Sequence, residues 1–216
     1  MSTTQATLLD AAHFDTKARQ WDENPVFRER GLKIAEAIRK AVPLNKNMSA
    51  LDYGCGTGLL SFPLKDELGA ILLADSSSGM LDVVREKIAA QGVTHMTPVK
   101  LDLLADPPPA QRFDLIVTSM TLHHVPDTDH ILRVFHDLLS PGGYLCIADL
   151  DTEDGSFHGI EVDVHHGFDR TNLGRRAEQA GFADVQFQTV FSIARERESG
   201  TRDYPVFLMT ARHAGA

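Results

Sequence analysis

The sequence is poor in cysteine, in long apolar runs and in clustered positive charge, and each shortage removes a class of protein. Among 216 residues there are two cysteines, Cys55 and Cys146. Two thiols in separate segments give no framework for a disulfide-stapled fold, and reduced thiols suit a cytoplasmic chain. No apolar stretch reaches the roughly 18 residues that cross a bilayer, so no membrane insertion is expected. Residues 1–10 are polar and lack the basic, apolar, small-residue order of a signal peptide. Lys and Arg number 21 against 30 Asp and Glu, a formal net charge of -9. A net negative chain repels phosphate backbones, and no dense Lys/Arg run offsets this, so nucleic acid is not an expected partner. Arg195-Glu196-Arg197 alternates in sign and reads as a solvated face. Repeats and low-complexity tracts are missing too, and Pro107-Pro108-Pro109 reads as a stiff surface loop.

What is present is an order of elements. Phe14, Ala18 and Trp21 recur at helical spacing over residues 11–21. Asn24 reads as a cap and Pro25 as the entry to a second helix, residues 26–42, with Leu32, Ile34, Ala35 and Ile38 as its apolar set. Strands are expected at 50–53, 70–74, 96–101, 113–118 and 144–150, with helices at 58–68, 77–91 and 127–139 between them. Ser77 caps the second of these helices and Gly92 stops it; Ser140-Pro141-Gly142-Gly143 ends the third. Such alternation specifies a parallel sheet with helices on both faces and right-handed crossovers. The tail departs from it. A helix at 170–180 stops at Gly181, and runs at 183–194 and 204–212 flank a charged turn as a hairpin. One strand at that edge should therefore run antiparallel, giving seven strands in all.

Open α/β sheets bind ligands beyond the carboxyl ends of their strands. The first strand-to-helix turn is Asp52-Tyr53-Gly54-Cys55-Gly56-Thr57-Gly58. Missing β-carbons allow a tight turn and a close approach of backbone to ligand. The dinucleotide fingerprint is G-x-G-x-x-G, whereas here the glycines give G-x-G-x-G and position 59 is Leu. Asp52 precedes the first glycine; a pyrophosphate would be repelled there, and an ammonium or sulfonium attracted. S-adenosylmethionine carries both. Asp75 ends the second strand, where a carboxylate about 20 residues past the glycine loop can accept ribose hydroxyls; the plain alternative is an N-cap. Met80, one helical turn on, suits either an adenine face or the core. Asp102 ends the third strand and suits an adenine amino group, with the next amide for a ring nitrogen; the alternative is an exposed turn. The fourth strand delivers residues 119–124 to the same edge, while Asp114, at its start, is structural.

Together LDYGCGTG (51–58), LLADSSSGM (72–80), LDLL (101–104), FDLIVTSMTLHHV (113–125) and LSPGGYLCIADLD (139–151) resemble class I S-adenosylmethionine-dependent methyltransferases, in particular the small-molecule branch that includes the ubiquinone/menaquinone-biosynthesis type. The resemblance covers residues 48–152. It implies a three-layer α-β-α sandwich: a seven-stranded, mostly parallel sheet of order 3-2-1-4-5-7-6, its seventh strand antiparallel. It also implies an N-terminal helical lid, for which Phe14-Asp15 and Trp21-Asp22 are the candidates. The chain then divides into a lid (1–46), a cofactor-binding core (47–150), and a substrate-side insertion with the C-terminal hairpin (151–216), all one methyltransferase domain. Carried over position by position, the cofactor contacts are Asp52, Gly54, Cys55, Gly56, Asp75, Ser76, Met80, Asp102, Leu103 and Ser119. The product would be S-adenosylhomocysteine. The Asn/Asp-Pro-Pro-Tyr/Phe signature of amino-group methyltransferases is replaced by Ser119-Met120-Thr121-Leu122, which disfavours nucleobase acceptors.

Methyl transfer from a sulfonium needs an aligned nucleophile and, for carbon or oxygen, a base. His123 is the first candidate and His166 the second, since both segments should border the acceptor cavity; the alternative for His123 is a packed residue. Asp149, Asp151, Glu153, His158 and His165 belong to the same region. Asp149, Asp151, His158, His165 and His166 could also bind a metal, but so imidazole-rich a set does not match the magnesium site of catechol-type methyltransferases, and no metal is expected. The segment 151–169 reads as a loop that moves on binding. The expected partner is a small-molecule methyl acceptor, and the chain a monomer or homodimer. A non-catalytic S-adenosylmethionine-binding regulator is the competing reading; a nicotinamide oxidoreductase is disfavoured by Leu59 and Asp52.

Overall fold

Seven strands form one sheet in the order β3-β2-β1-β4-β5-β7-β6. The strands are β1 Ala50–Tyr53, β2 Ile71–Asp75, β3 Met96–Lys100, β4 Phe113–Ser119, β5 Leu139–Leu150, β6 Phe182–Arg197 and β7 Gly200–His213. This is a computed structural model, and it describes residues 11–158, 162–197 and 200–215. The N-terminal stretch 1–10 and positions 159–161 of the expected insertion lie outside the described residues. Strands β1 to β5 pair in parallel, and β7 runs antiparallel to both β5 and β6.

The parallel strands are buried on both faces, so they read as nearly continuous apolar runs. One face carries Leu73, Leu115, Val117 and Ala148 against Ile34, Ile38, Leu64, Leu81 and Val84, from α2 Pro25–Ala41, α3 Ser61–Leu64 and α4 Ser78–Gln91. The other carries Leu51, Ile116, Leu145 and Ile147 against Ile131, Phe135, Leu173 and Ala177, from α5 Thr128–Leu138 and α6 Arg170–Gln179. This is the three-layer arrangement implied above. Three expected caps form: Asn24 accepts from the Val26 amide, Ser77 accepts from the Met80 amide, and Gly92 ends α4 in the left-handed region.

Four local expectations are corrected. Leu32 is 56% exposed; the face of α2 that meets the sheet carries Arg30, Gly31, Ile34, Ala35 and Ile38. The helix expected over 58–68 shrinks to the single turn α3. Pro63 has no amide hydrogen, and the chain continues through three-residue turns, Lys65 N to Phe62 O and Glu67 N to Leu64 O. Strand β5 begins at Leu139, which pairs with Phe113; a register shift then carries the Ser-Pro-Gly-Gly segment outward before Tyr144 pairs with Leu115. The hairpin strands run longer than expected, to Arg197 and from Gly200.

Helix α1 Ala11–Trp21 packs against α4. Asp15 accepts from the Ser77 hydroxyl at 2.6 Å and the Gly79 amide at 2.7 Å. Asp22, just beyond α1, accepts from the Thr57 hydroxyl and pairs with Lys87, each at 2.5 Å. The lid is thereby tied to the turns after β1 and β2.

Helix α2 approaches the glycine turn closely at Gly31, where a β-carbon would lie 2.6 Å from the Leu59 carbonyl oxygen. Gly31→Ala should cost about 1–3 kcal/mol by overpacking, read as a lowered urea midpoint. An unchanged midpoint would show that α2 can withdraw from residue 59 freely.

Candidate active site

The turn after β1 owes its path to backbone freedom. Gly54, Gly56 and Gly58 have φ of 68°, 52° and 80°, in the region that side chains disfavour. At Gly54 a β-carbon would also sit 2.3 Å from the Thr121 side chain. The amides of Gly54 and Cys55 both bond the Ala74 carbonyl, at 2.8 and 3.0 Å. The Gly56 amide donates to Asp75 Oδ2 at 2.7 Å, and the Ser77 amide to Asp75 Oδ1 at 2.8 Å. One carboxylate thus joins two strand ends. Burial raises its pKa, against the pull of those two amides.

Asp52 stands differently from its expected pose. It is 1% exposed and accepts from the Ser61 hydroxyl at 2.5 Å, behind the turn rather than on the cavity wall. Burial pushes its carboxyl up to about 7; Ser61 opposes this and the charge of Asp75 adds to it.

In front of the turn lies a cavity of about 440 Å³, lined by Phe14, Trp21, Gly54, Gly56, Asp75, Ser76, Met80, Leu101, Asp102 and the segment from Met120 to Pro126, less the buried Leu122 and His123. That volume suits a nucleoside-sized ligand, and the two lid aromatics form part of its wall. Of the expected cofactor residues, Gly54, Gly56, Asp75, Ser76, Met80 and Asp102 face this cavity. Leu103 and Cys55 are buried behind it, and Leu104 takes the wall position beside Asp102. Ser119 ends β4 beneath Thr121, whose hydroxyl bonds the Ser119 carbonyl at 3.2 Å. Asp102 Oδ1 accepts from the Leu104 amide at 3.0 Å.

Beyond β4 a 3₁₀ turn, Leu122–His124, carries two imidazoles. His123 is 1% exposed. Its Nδ1 lies 2.7 Å from Asp149 Oδ1, and its Nε2 lies 3.0 Å from Nε2 of His158. A carboxylate only accepts, so Nδ1 carries a hydrogen, and Nε2 is the nitrogen turned towards His158. Burial works against the Asp149 carboxylate, yet His123 and the amides of Leu150 and His123 hold it below its usual range. His124 faces the cavity. Burial, then the neighbouring imidazoles, press the pKa of His124 down to about 3; burial, then His123 and Arg195, press that of His158 to about 4. Both rings are neutral near pH 7.

The remaining polar residues after β5 hold the loop. Asp151 pairs with Arg170 at 2.6 and 2.7 Å, and Glu153 accepts from the Phe157 amide. His165 donates its amide to the His123 carbonyl, and its Nε2 lies 3.0 Å from the Val125 carbonyl oxygen. The His166 ring packs over Gly155, where a β-carbon would meet it at 2.8 Å. Sequence reasoning missed Arg30, 9% exposed, its guanidinium 5.0 Å over the Phe27 ring. Burial lowers its pKa to about 10, while the charge of Asp149 raises it. The stripe Arg30-Ile34-Ile38, four residues apart, was the signal that could have found it.

A sheet of this order, with a cradle of left-handed glycines and a carboxylate on the next strand, defines a Rossmann-like nucleoside site of the methyltransferase class. A family model described as a methyltransferase domain matches residues 26–187, and the chain belongs to that family, the class I S-adenosylmethionine-dependent methyltransferases. An uncharacterized methyltransferase of Schizosaccharomyces pombe is 35% identical over 135 residues, 56% of this chain and 48% of that protein. The ubiquinone/menaquinone biosynthesis C-methyltransferase of Pseudoalteromonas translucida is 37% identical over 108 residues, 48% of this chain and 43% of its own length. The chain thus spans about half the length of these curated relatives. A SAM-dependent methyltransferase of Aquifex aeolicus shares the fold, with a TM-score of 0.68 at 21% identity over 93% of this chain and 98% of that one. Among the described residues no helix is long and apolar enough to cross a membrane.

Because the Asp52 pKa is raised on folding, its protonated form supports the fold. Stability should fall as pH rises from about 4, its unfolded value, to about 7. Asp52→Asn should remove this slope, on the order of 2–4 kcal/mol between those limits. Urea titrations across that range check it; an unaltered slope in the variant would mean that Asp52 titrates normally.

Proposed function

We propose that this chain methylates a small-molecule acceptor, using S-adenosylmethionine held in the cavity between the β1–β4 strand ends and the lid. The observation that carries the reading is Asp75, whose two oxygens already order the amides of Gly56 and Ser77 at the cavity edge. An ionised carboxyl has about four acceptor positions, which leaves capacity for two ribose hydroxyls. When bound, S-adenosylmethionine supplies a methyl group on a cationic sulfur that leaves as a neutral sulfide.

The chain's own groups divide the remaining work. Gly54, Gly56 and Ser76 bring backbone close to the ligand, Met80 offers a soft face to the adenine, and Asp102 addresses its edge with Leu103 packed behind it. Asp52, Cys55 and Ser119 support that wall from behind. Phe14 and Trp21 exclude water over it, which strengthens each polar contact inside. The acceptor enters next to His124. His123, buried and bonded to Asp149, acts as a positioning residue for His124 and His158 rather than as a group touching the acceptor. A net charge of -9 supports a small acceptor over a nucleic acid. Two free, buried thiols suit a cytoplasmic setting.

Isothermal calorimetry should show S-adenosylmethionine and S-adenosylhomocysteine binding and NAD failing to bind. Asp75→Ala should weaken the cofactor by about a hundredfold, the loss of two hydrogen bonds to a charged group. Heat from NAD alone, or unchanged affinity in Asp75→Ala, would overturn the assignment. Labelled methyl transfer to a panel of phenols, amines and thiols then separates an enzyme from a binding protein.

A further inference from the structure

We propose that His123, His124 and His158 form a three-imidazole site for a divalent transition-metal ion of the zinc or iron(II) class, on the acceptor side of the cavity. One donor nitrogen from each ring lies within 4.8 Å of the others. One pair, Nε2 of His123 and Nε2 of His158, stands 3.0 Å apart. Two nitrogens on a tetrahedral ion at bonds of about 2.0–2.1 Å are about 3.4 Å apart. Small shifts of side chains therefore convert the cluster into a ligand set.

Two further observations point to an ion. Nδ1 of His124 is buried and has no hydrogen-bond partner, a state that costs free energy unless something fills it. Asp149 Oδ1 accepts from Nδ1 of His123 at 2.7 Å, so Nε2 is the nitrogen that faces the cluster. A carboxylate bonded to the far nitrogen of an imidazole is the outer support that metal-ligating histidines use, fixing the tautomer and raising ligand basicity. Without an ion, a single hydrogen between the two Nε2 atoms fills the gap between them; an ion takes its place.

Surroundings and ligand count set the class. Neutral imidazoles suit zinc, iron(II), cobalt or nickel, whereas magnesium and calcium prefer oxygen. The edges of Phe14 and Phe157 close on His124 and His158, with ring centroids at 5.6 and 4.9 Å. Three protein ligands leave a position open, as in catalytic rather than structural sites. His124 also lines the cofactor cavity, so the open position faces the space assigned to the acceptor. That last step rests on the function proposed above; the ion site itself does not. An acceptor bearing an oxygen or nitrogen ligand for the ion is the class this geometry selects.

The test is cobalt titration of the full chain after chelator dialysis. Wild type should take up about one ion per chain with visible ligand-field absorption, zinc should abolish the signal, and magnesium should not. His124→Ala and His158→Ala should lose it, Asp149→Asn should weaken binding by about 10–100-fold, and His130→Ala, on the exposed face of α5, should match wild type. His158→Cys keeps a ligand and should add sulfur-to-cobalt charge-transfer absorption, which folding damage alone cannot produce. No uptake by wild type, or full uptake in His158→Ala, would overturn the proposal. Calorimetry with S-adenosylmethionine on the same samples separates the two readings. Cofactor binding without cobalt uptake sinks the ion site alone, and cobalt uptake without cofactor binding sinks the methyl-donor site alone.

Discussion

The carboxylate of Asp75 is the junction on which the rest of the site depends. Its two oxygens take the Gly56 and Ser77 amides, so the turn after β1 and the entry to α4 hold one geometry. Ser77 passes the tie onward by donating its hydroxyl to Asp15, and Asp15 seats the lid helix. A line of hydrogen bonds therefore runs from the glycine turn through Asp75 and Ser77 to α1. The parallel register of β1 with β2 and β4 is what brings these groups to one edge. A displaced strand would break the line rather than stretch it, because each donor is a backbone amide or a short hydroxyl.

The architecture was legible because its signals are local. Strands covered on both faces give unbroken apolar runs, and α2 and α4 carry their own caps at Asn24, Ser77 and Gly92. The misread segments are those where tertiary geometry overrides a local pattern. Leu60, Leu64 and Leu68 are buried, so the apolar spacing after the glycine turn was real; Pro63 prevented that spacing from becoming a long helix. Ser140 to Gly143 looked like a break and is instead a bulge within β5, since Leu139 already pairs with Phe113. Leu32 belonged to the apolar count of α2 but not to the face that Gly31 presses against the loop.

The site divides along the same line. Asp75, Met80, Asp102, Gly54 and Gly56 follow from one rule, that ligands sit beyond the carboxyl ends of the strands, and the fold brings all of them to one cavity. Asp52 was read by charge alone; its burial beside Ser61 could not be seen without the packing of α3. The imidazole cluster was half legible. His123 and His124 are adjacent in sequence, but His158 reaches them from 34 residues beyond His124, because β5 lies beside β4. His166, equally plausible by composition, points at Gly155 instead. Spacing in the chain does not decide between two histidines of one loop, whereas the sheet does.

A crystal structure grown with S-adenosylhomocysteine tests the central claim most directly. The account predicts ribose hydroxyls on Asp75, the adenine against Met80 with its edge at Asp102, and the sulfur directed towards His124 beneath Phe14 and Trp21. A ligand bound elsewhere, or one in this cavity that leaves Asp75 bonded only to its two amides, would contradict it.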